Sequence, residues 1–84
     1  MAIECPPEWQ IESDKLVRQF NFADFTEAFA FMTRVAFLAE SHAHHPNWEN
    51  VYSTVVIRLC THDAGNVVTQ KDVDLALAIN ALDQ

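Results

Sequence analysis

The sequence predicts a small α+β domain, an antiparallel sheet with helices packed on one face, in the order β-β-α-β-β-α. Three observations lead there. A stretch of alternating polarity near the start reads as strand, and two segments with helical spacing begin at Asp24 and Thr69. Between those segments lies a run rich in β-branched residues.

Pro6 and Pro7 keep the opening residues extended. "WQIES" (9–13) and "LVRQFNF" (16–22) then read as two short strands around Ser13-Asp14-Lys15. Leu16, Arg18 and Phe20 fall on one side of the second strand, Val17 and Gln19 on the other. "ADFTEAFAFMTRVAFLAES" (23–41) is the clearest helix, with Asp24 as cap and Glu27 three residues on. Phe25, Ala28, Phe29, Met32, Val35, Ala36 and Ala39 share one broad face. Phe31, Phe37 and Leu38 spill around its side, leaving a thin polar stripe through Glu27 and Arg34. The helix must end before Pro46. "VYSTVVIRLCTH" (51–62) is strand-like, and a bend near Ser53-Thr54 could split it into two paired strands. Val51, Ser53, Val55, Ile57 and Leu59 form its more apolar face. Tyr52, Thr54, Val56, Arg58, Cys60 and His62 share the other, which puts His62 at a strand end. "DAGN" is a turn around the single glycine, Gly65. "TQKDVDLALAINAL" (69–82) is the final helix, with Thr69 as N-cap, Asp72 at the third position, and Val73, Ala76, Leu77 and Asn80 on one line.

At 84 residues the chain reads as one domain over 1–84, burying only about 60–65% of its unfolded surface. Half the residues are nonetheless hydrophobic and six are phenylalanine. Such apolar excess in a short chain is buried between subunits, so a homodimer or homotetramer is expected, with the apolar helix as the contact surface for a second copy or a protein partner. Twelve acidic against five basic side chains give a net charge of −7, which opposes direct binding to nucleic acid or an anionic membrane. Cys5 and Cys60 form no CxxC, and "MAIECPPEW" has neither the basic nor the apolar region of a signal peptide. A reducing cytoplasm is expected. The most apolar run, 25–39, is interrupted by Thr26, Glu27, Thr33 and Arg34 and does not span a bilayer.

All four histidines cluster: His42, His44 and His45 lie in "AESHAHHPNW" (39–48) and His62 in "CTHDAG". A histidine near a helix end is commonly exposed, facing the negative pole of the dipole, and His42 is read that way. His44 and His45 differ because they adjoin Pro46 at the helix exit, where adjacent residues of an extended segment point to opposite sides. Imidazole titrates near neutrality and carries protons at cellular pH. Three such rings converging, with Glu40 one turn before His44, would make a proton-transfer site. Zinc is the rival reading of four histidines. Against it, zinc clusters of this kind come with a carboxylate or cysteine ligand and helical spacing, whereas this trio runs from a helix end into extended chain. Trp48 and Tyr52 offer an aromatic wall for a flat heteroaromatic ligand, or are simply packed.

Taken together, "FNFADFTEAFAFMTRVAFLAE", "HHPNWENVYSTV", "THDAG" and "TQKDVDLALAI" resemble the pterin-4a-carbinolamine dehydratase family from about Trp9 to Leu82. That family includes a dimerisation cofactor of a homeodomain transcription factor. The resemblance implies a hydro-lyase that removes water from a 4a-hydroxytetrahydropterin, giving the quinonoid dihydropterin in tetrahydrobiopterin recycling. It implies neither a metal nor an organic cofactor. The family's catalytic histidines fall on His44, His45 and His62, with His44 and His62 expected to move protons and His45 to hold the pterin. Its substrate-side positions fall on Glu40, Pro46, Trp48 and Asp72, although Asp72 is also explained by capping its own helix. Three departures stand out. Ala43 occupies a position where the family often has Asp or Asn, "AGNVVT" differs from the usual glycine-rich turn, and the family's usual N-terminal helix is expected to be lacking. The alternative to an enzyme is a non-catalytic dimerisation or assembly partner that keeps the fold.

Overall fold

The computed structural model describes residues 4–82. Its elements are β1 (Gln10–Glu12), β2 (Lys15–Asn21), α1 (Phe25–Ser41), β3 (Asn47–Val51), β4 (Thr54–Leu59), a short 3-10 helix (His62–Ala64) and α2 (Gln70–Leu82). The four strands form one antiparallel sheet in the order β1-β2-β4-β3. This is the expected α+β order.

The first hairpin turns without a glycine. Ser13 and Asp14 both take positive φ, 50° and 62°, between the paired residues Glu12 and Lys15. Two consecutive left-handed residues match the right-handed twist of the strands they join. In β2, alternation buries Leu16 and Phe20. Arg18 lies on the same side, its guanidinium over the Phe20 ring and Nη1 donating to Asn80 Oδ1 of α2 at 2.6 Å.

The β-rich segment does divide near Ser53, but its first strand starts at Asn47, four residues before the expected Val51. "NWEN" has little β propensity, and pairing with β4 overrides it. Val55, Ile57 and Leu59 are fully buried, as the alternation predicts, whereas Val51 and Tyr52 at the hairpin tip are exposed.

Helix α1 buries Ala28, Val35 and Ala39 of the expected face, but the face is rotated so that Phe31 turns inward in place of Phe25 and Phe29. Ala28, Phe31, Val35 and Ala39 are buried, while Phe25, Phe29 and Phe37 are exposed. Phe31 is a centre of the core, its ring centroid 4.7 Å from that of Phe20 and 5.1 Å from that of Phe22. A helix apolar nearly all round has no single face dictated by periodicity, so contact with the sheet decides. In α2 Val73 and Ala76 are buried as expected, while Leu77 moves to the surface and Leu75 and Ile79 take its place in the core. Among the described residues no helix is long and apolar enough to cross a membrane.

Candidate active site

Two chain exits and one helix start meet at the site. The first exit is the end of α1. Asp24 caps its beginning, accepting from the Glu27 amide at 2.9 Å, and the Glu27 carboxylate accepts in return from the Ala23 amide. At its end the Ala43 amide donates to Glu40 O and the His44 amide to Ala39 O, with Ala43 at φ 50°. These paired bonds around one left-handed residue are a Schellman closure. They fix the direction in which the chain leaves and deliver His44 and His45 ahead of Pro46.

The second exit is the end of β4. His62 does not end the strand as expected but opens the 3-10 helix beyond it. Thr61 holds that segment in place: its amide donates to Val67 O at 2.8 Å, and its carbonyl accepts from the amides of Ala64 and Asn66. The loop from 61 to 67 is thereby closed on itself, with Gly65 at φ 90° and Asn66 at φ 62° making the reversal.

The start of α2 supplies Asp72, which is fully buried. Its Oδ2 accepts from the Thr69 amide and from the Thr61 hydroxyl, both at 2.8 Å. Thr69 Oγ1 lies 2.6 Å from Thr61 Oγ1. Because the Thr61 hydroxyl donates to Asp72, Thr69 donates to Thr61. Asp72 Oδ1 then faces His44 Nε2 at 2.5 Å. An acceptor already engaged by two donors receives a third, so His44 carries its proton on Nε2 and leaves Nδ1 for other chemistry.

The other two rings are each held by one nitrogen as well. His45 Nε2 pairs with Glu40 Oε1 at 2.5 Å, both side chains largely exposed. His62 Nδ1 lies 2.7 Å from Asn66 Oδ1. His44, His45 and His62 share the wall of one open cleft of about 330 Å³, together with Ala43, Pro46, Thr61, Asp63 and Lys71. A larger cavity of about 470 Å³ lies on the uncovered face of the sheet, around Gln10, Val17, Val56 and Arg58. No histidine lines it, so residue chemistry rather than size selects the cleft.

The structure therefore brings together His44, His45, Pro46 and His62. Asp72 sits beneath His44, not on the cleft wall, and Glu40 reaches the site through His45. Trp48 is off the wall, half-buried against the hydrophobic core, and Tyr52 lies exposed in the β3–β4 turn. His42 caps α1 and joins nothing in the cleft. Among the described residues, no group of three or more His, Cys, Asp or Glu side chains is placed to hold a metal ion. Sequence reasoning missed Thr61, Asn66 and Lys71. The glycine-asparagine step after His62 is the signal that could have found Asn66, since both residues tolerate the left-handed region a tight reversal needs.

Fold and cleft together define a small α+β protein that gathers imidazoles from separate elements, one of them backed by a buried carboxylate. The sequence matches the family model for pterin 4 alpha carbinolamine dehydratase over residues 1–82, and the chain belongs to that family. A protein of Synechococcus sp. (strain WH7803), provisionally named a pterin-4-alpha-carbinolamine dehydratase, is 58% identical over 90% of this chain and 81% of its own. One from Prochlorococcus marinus (strain MIT 9215), named in the same provisional way, is 55% identical over 90% of this chain and 78% of its own. Among solved structures, a transcriptional coactivator/pterin dehydratase from Brucella melitensis superposes with a TM-score of 0.84 at 40% identity, covering 89% of this chain and 81% of that one. A pterin dehydratase-like protein identified as a RuBisCO assembly factor in the alpha-carboxysome gives a TM-score of 0.70 at 25% identity, over 88% of this chain and 84% of that one.

Proposed function

We propose that this protein dehydrates a 4a-hydroxytetrahydropterin to the quinonoid dihydropterin, through acid/base catalysis by its cleft histidines. The observation that carries the reading is the pairing of His44 with buried Asp72 on the wall of a cleft that His62 also lines. A cleft of about 330 Å³ falls in the range of small-molecule sites. Dehydration needs a base for the N5 proton and an acid for the departing 4a-hydroxyl, which leaves as water. His44 suits the base: Nδ1 takes the N5 proton, and Asp72 stabilises the imidazolium that forms through Nε2–H. His62 suits the acid, giving a proton from Nε2 to the hydroxyl as the N5 electron pair closes the C4a double bond. His45, steadied by Glu40, holds the ring system from the rim. The product is the form a reductase returns to tetrahydropterin, which fits a cytoplasmic recycling role for a homo-oligomeric enzyme.

Stopped-flow measurement of 4a-hydroxytetrahydropterin breakdown tests this. The wild type is expected to accelerate the spontaneous reaction, and His62→Ala to lose roughly 10²–10⁴-fold of that acceleration. A wild type no faster than buffer overturns the reading.

A second reading, an assembly or dimerisation partner, is favoured by the exposed phenylalanines of α1 and by the likeness to a RuBisCO assembly factor. The same assay separates the two, because a pure assembly partner has no use for the His44–Asp72 pair and leaves the pterin unchanged.

A further inference from the structure

The proposed chemistry has Nε2 of His62 give the working proton, and something must keep that nitrogen the open one. The loop that carries His62 does. Thr61 is anchored on both sides, to Val67 through its amide and to Asp72 through its hydroxyl, so the turn after it is closed over a fixed base. Within that turn Asn66 takes φ 62°, its amide donating to Thr61 O at 3.0 Å. This brings Asn66 Oδ1 to 2.7 Å from His62 Nδ1. An amide oxygen only accepts, so Nδ1 must be the donor in this contact.

We infer that Asn66 is a positioning residue for His62: its side-chain carbonyl keeps the proton on Nδ1 and leaves Nε2 as the nitrogen that exchanges protons in the cleft. The inference rests on the dehydratase reading for its catalytic meaning, not for the contact itself. His44 and His62 then present opposite ring nitrogens. His44 is held at Nε2 by Asp72 and works from Nδ1, while His62 is held at Nδ1 by Asn66 and works from Nε2. A neutral imidazole free in water samples both tautomers. One held by an acceptor keeps a single nitrogen open, so every bound substrate meets the same group in the same place. The charged or titratable groups sharing the cleft with His62 are His44, His45, Asp63 and Lys71. None of them makes a hydrogen bond to its ring.

Backbone shape is the competing explanation for Asn66, because asparagine tolerates the left-handed region. Two substitutions separate the roles. Glycine adopts φ 62° freely, so Asn66→Gly preserves the turn and removes only the acceptor. Asn66→Asp restores an acceptor that has no N–H to donate. The neutral tautomer of His62 is read by long-range proton–nitrogen NMR on the uniformly labelled protein at alkaline pH, its signals assigned against His62→Gln. The wild type is expected to show Nδ1–H, Asn66→Gly a shift of the major form to Nε2–H, and Asn66→Asp a return to Nδ1–H. In the dehydratase assay kcat should fall roughly tenfold in Asn66→Gly with KM within about twofold, and recover in Asn66→Asp. A wild-type His62 protonated on Nε2, or a tautomer unchanged by Asn66→Gly, overturns the proposal. So does a kcat that ignores the tautomer change. An inactive wild type with the expected tautomer change sinks the dehydratase reading and leaves the hold of Asn66 on His62 standing.

Discussion

Asp72 faces two ways: Oδ1 lies 2.5 Å from His44 Nε2, while Oδ2 closes the first turn of α2 through the Thr69 amide. One carboxylate thus caps a helix and fixes the tautomer of a cleft histidine. The chemistry of Asn separates these tasks. In Asp72→Asn the side-chain carbonyl stays where the Thr61 hydroxyl and the Thr69 amide both donate, because an NH₂ group there would face two donors. That turns the new NH₂ toward His44. Nε2 must then accept, and the imidazole proton moves to Nδ1, the nitrogen that has to receive a proton from substrate. We expect kcat to fall by about 10²-fold or more, with the far-UV spectrum unchanged. Asp72→Ala loses the cap as well and should cost about 1–2 kcal/mol of stability, read by denaturant unfolding. If Asp72→Asn turns over substrate at the wild-type rate, Asp72 is a cap and no more.

How much of this was legible in the sequence depends on whether local pattern or long-range contact decides. Leu16 and Phe20, and Val55, Ile57 and Leu59, were readable because alternation in a half-buried strand leaves one choice of face. Asp24 was readable as a cap because capping is local. The inward face of α1 was readable only in part: Ala28, Val35 and Ala39 follow from the spacing, but which phenylalanine joins them is decided only when the sheet selects Phe31 over Phe25 and Phe29. In the site, the clustering of His44, His45 and His62 pointed to shared chemistry. Thr61 and Asn66 stayed hidden because neither has meaning before the loop closes: Thr61 becomes a junction only through Val67 and Asp72, and Asn66 meets His62 only across a left-handed reversal.

Phe25, Phe29 and Phe37 leave an apolar strip on α1, with Phe29 54% and Phe37 73% exposed, while Phe25 and Phe29 stack on each other at 5.6 Å. Large aromatic side chains left in water in this number call for cover, and we expect an assembly of at least dimer size. Light scattering at micromolar concentration should give at least twice the chain mass. Combining Phe29→Ser with Phe37→Ser should lower that mass without unfolding the chain. Phe31→Ala, by contrast, removes a buried ring that touches Phe20 and Phe22 and should cost about 3–5 kcal/mol. A monodisperse wild-type monomer would refute the assembly. Equal destabilisation by Phe29→Ser and Phe31→Ala would refute the packing direction of α1.

Ala43 lies just past the His42 cap of α1 and launches the histidine pair, at φ 50° with its amide bonded to Glu40 O. A side chain with Cβ crowds the following carbonyl in this region, a cost of roughly 1–2 kcal/mol that glycine avoids and that Asn or Asp partly offsets. The Asp or Asn expected here from resemblance therefore has a backbone reason that needs no contact with ligand. Ala43→Gly should stabilise the fold by about 0.5–1 kcal/mol, the relief of strain exceeding the added freedom of the unfolded chain. For a domain of this size that raises Tm by about 3–6 °C in a thermal melt. Ala43→Asn should gain less. A loss of stability in Ala43→Gly would mean that the closure is held by something other than these two backbone bonds, and that the direction in which His44 leaves α1 is set elsewhere.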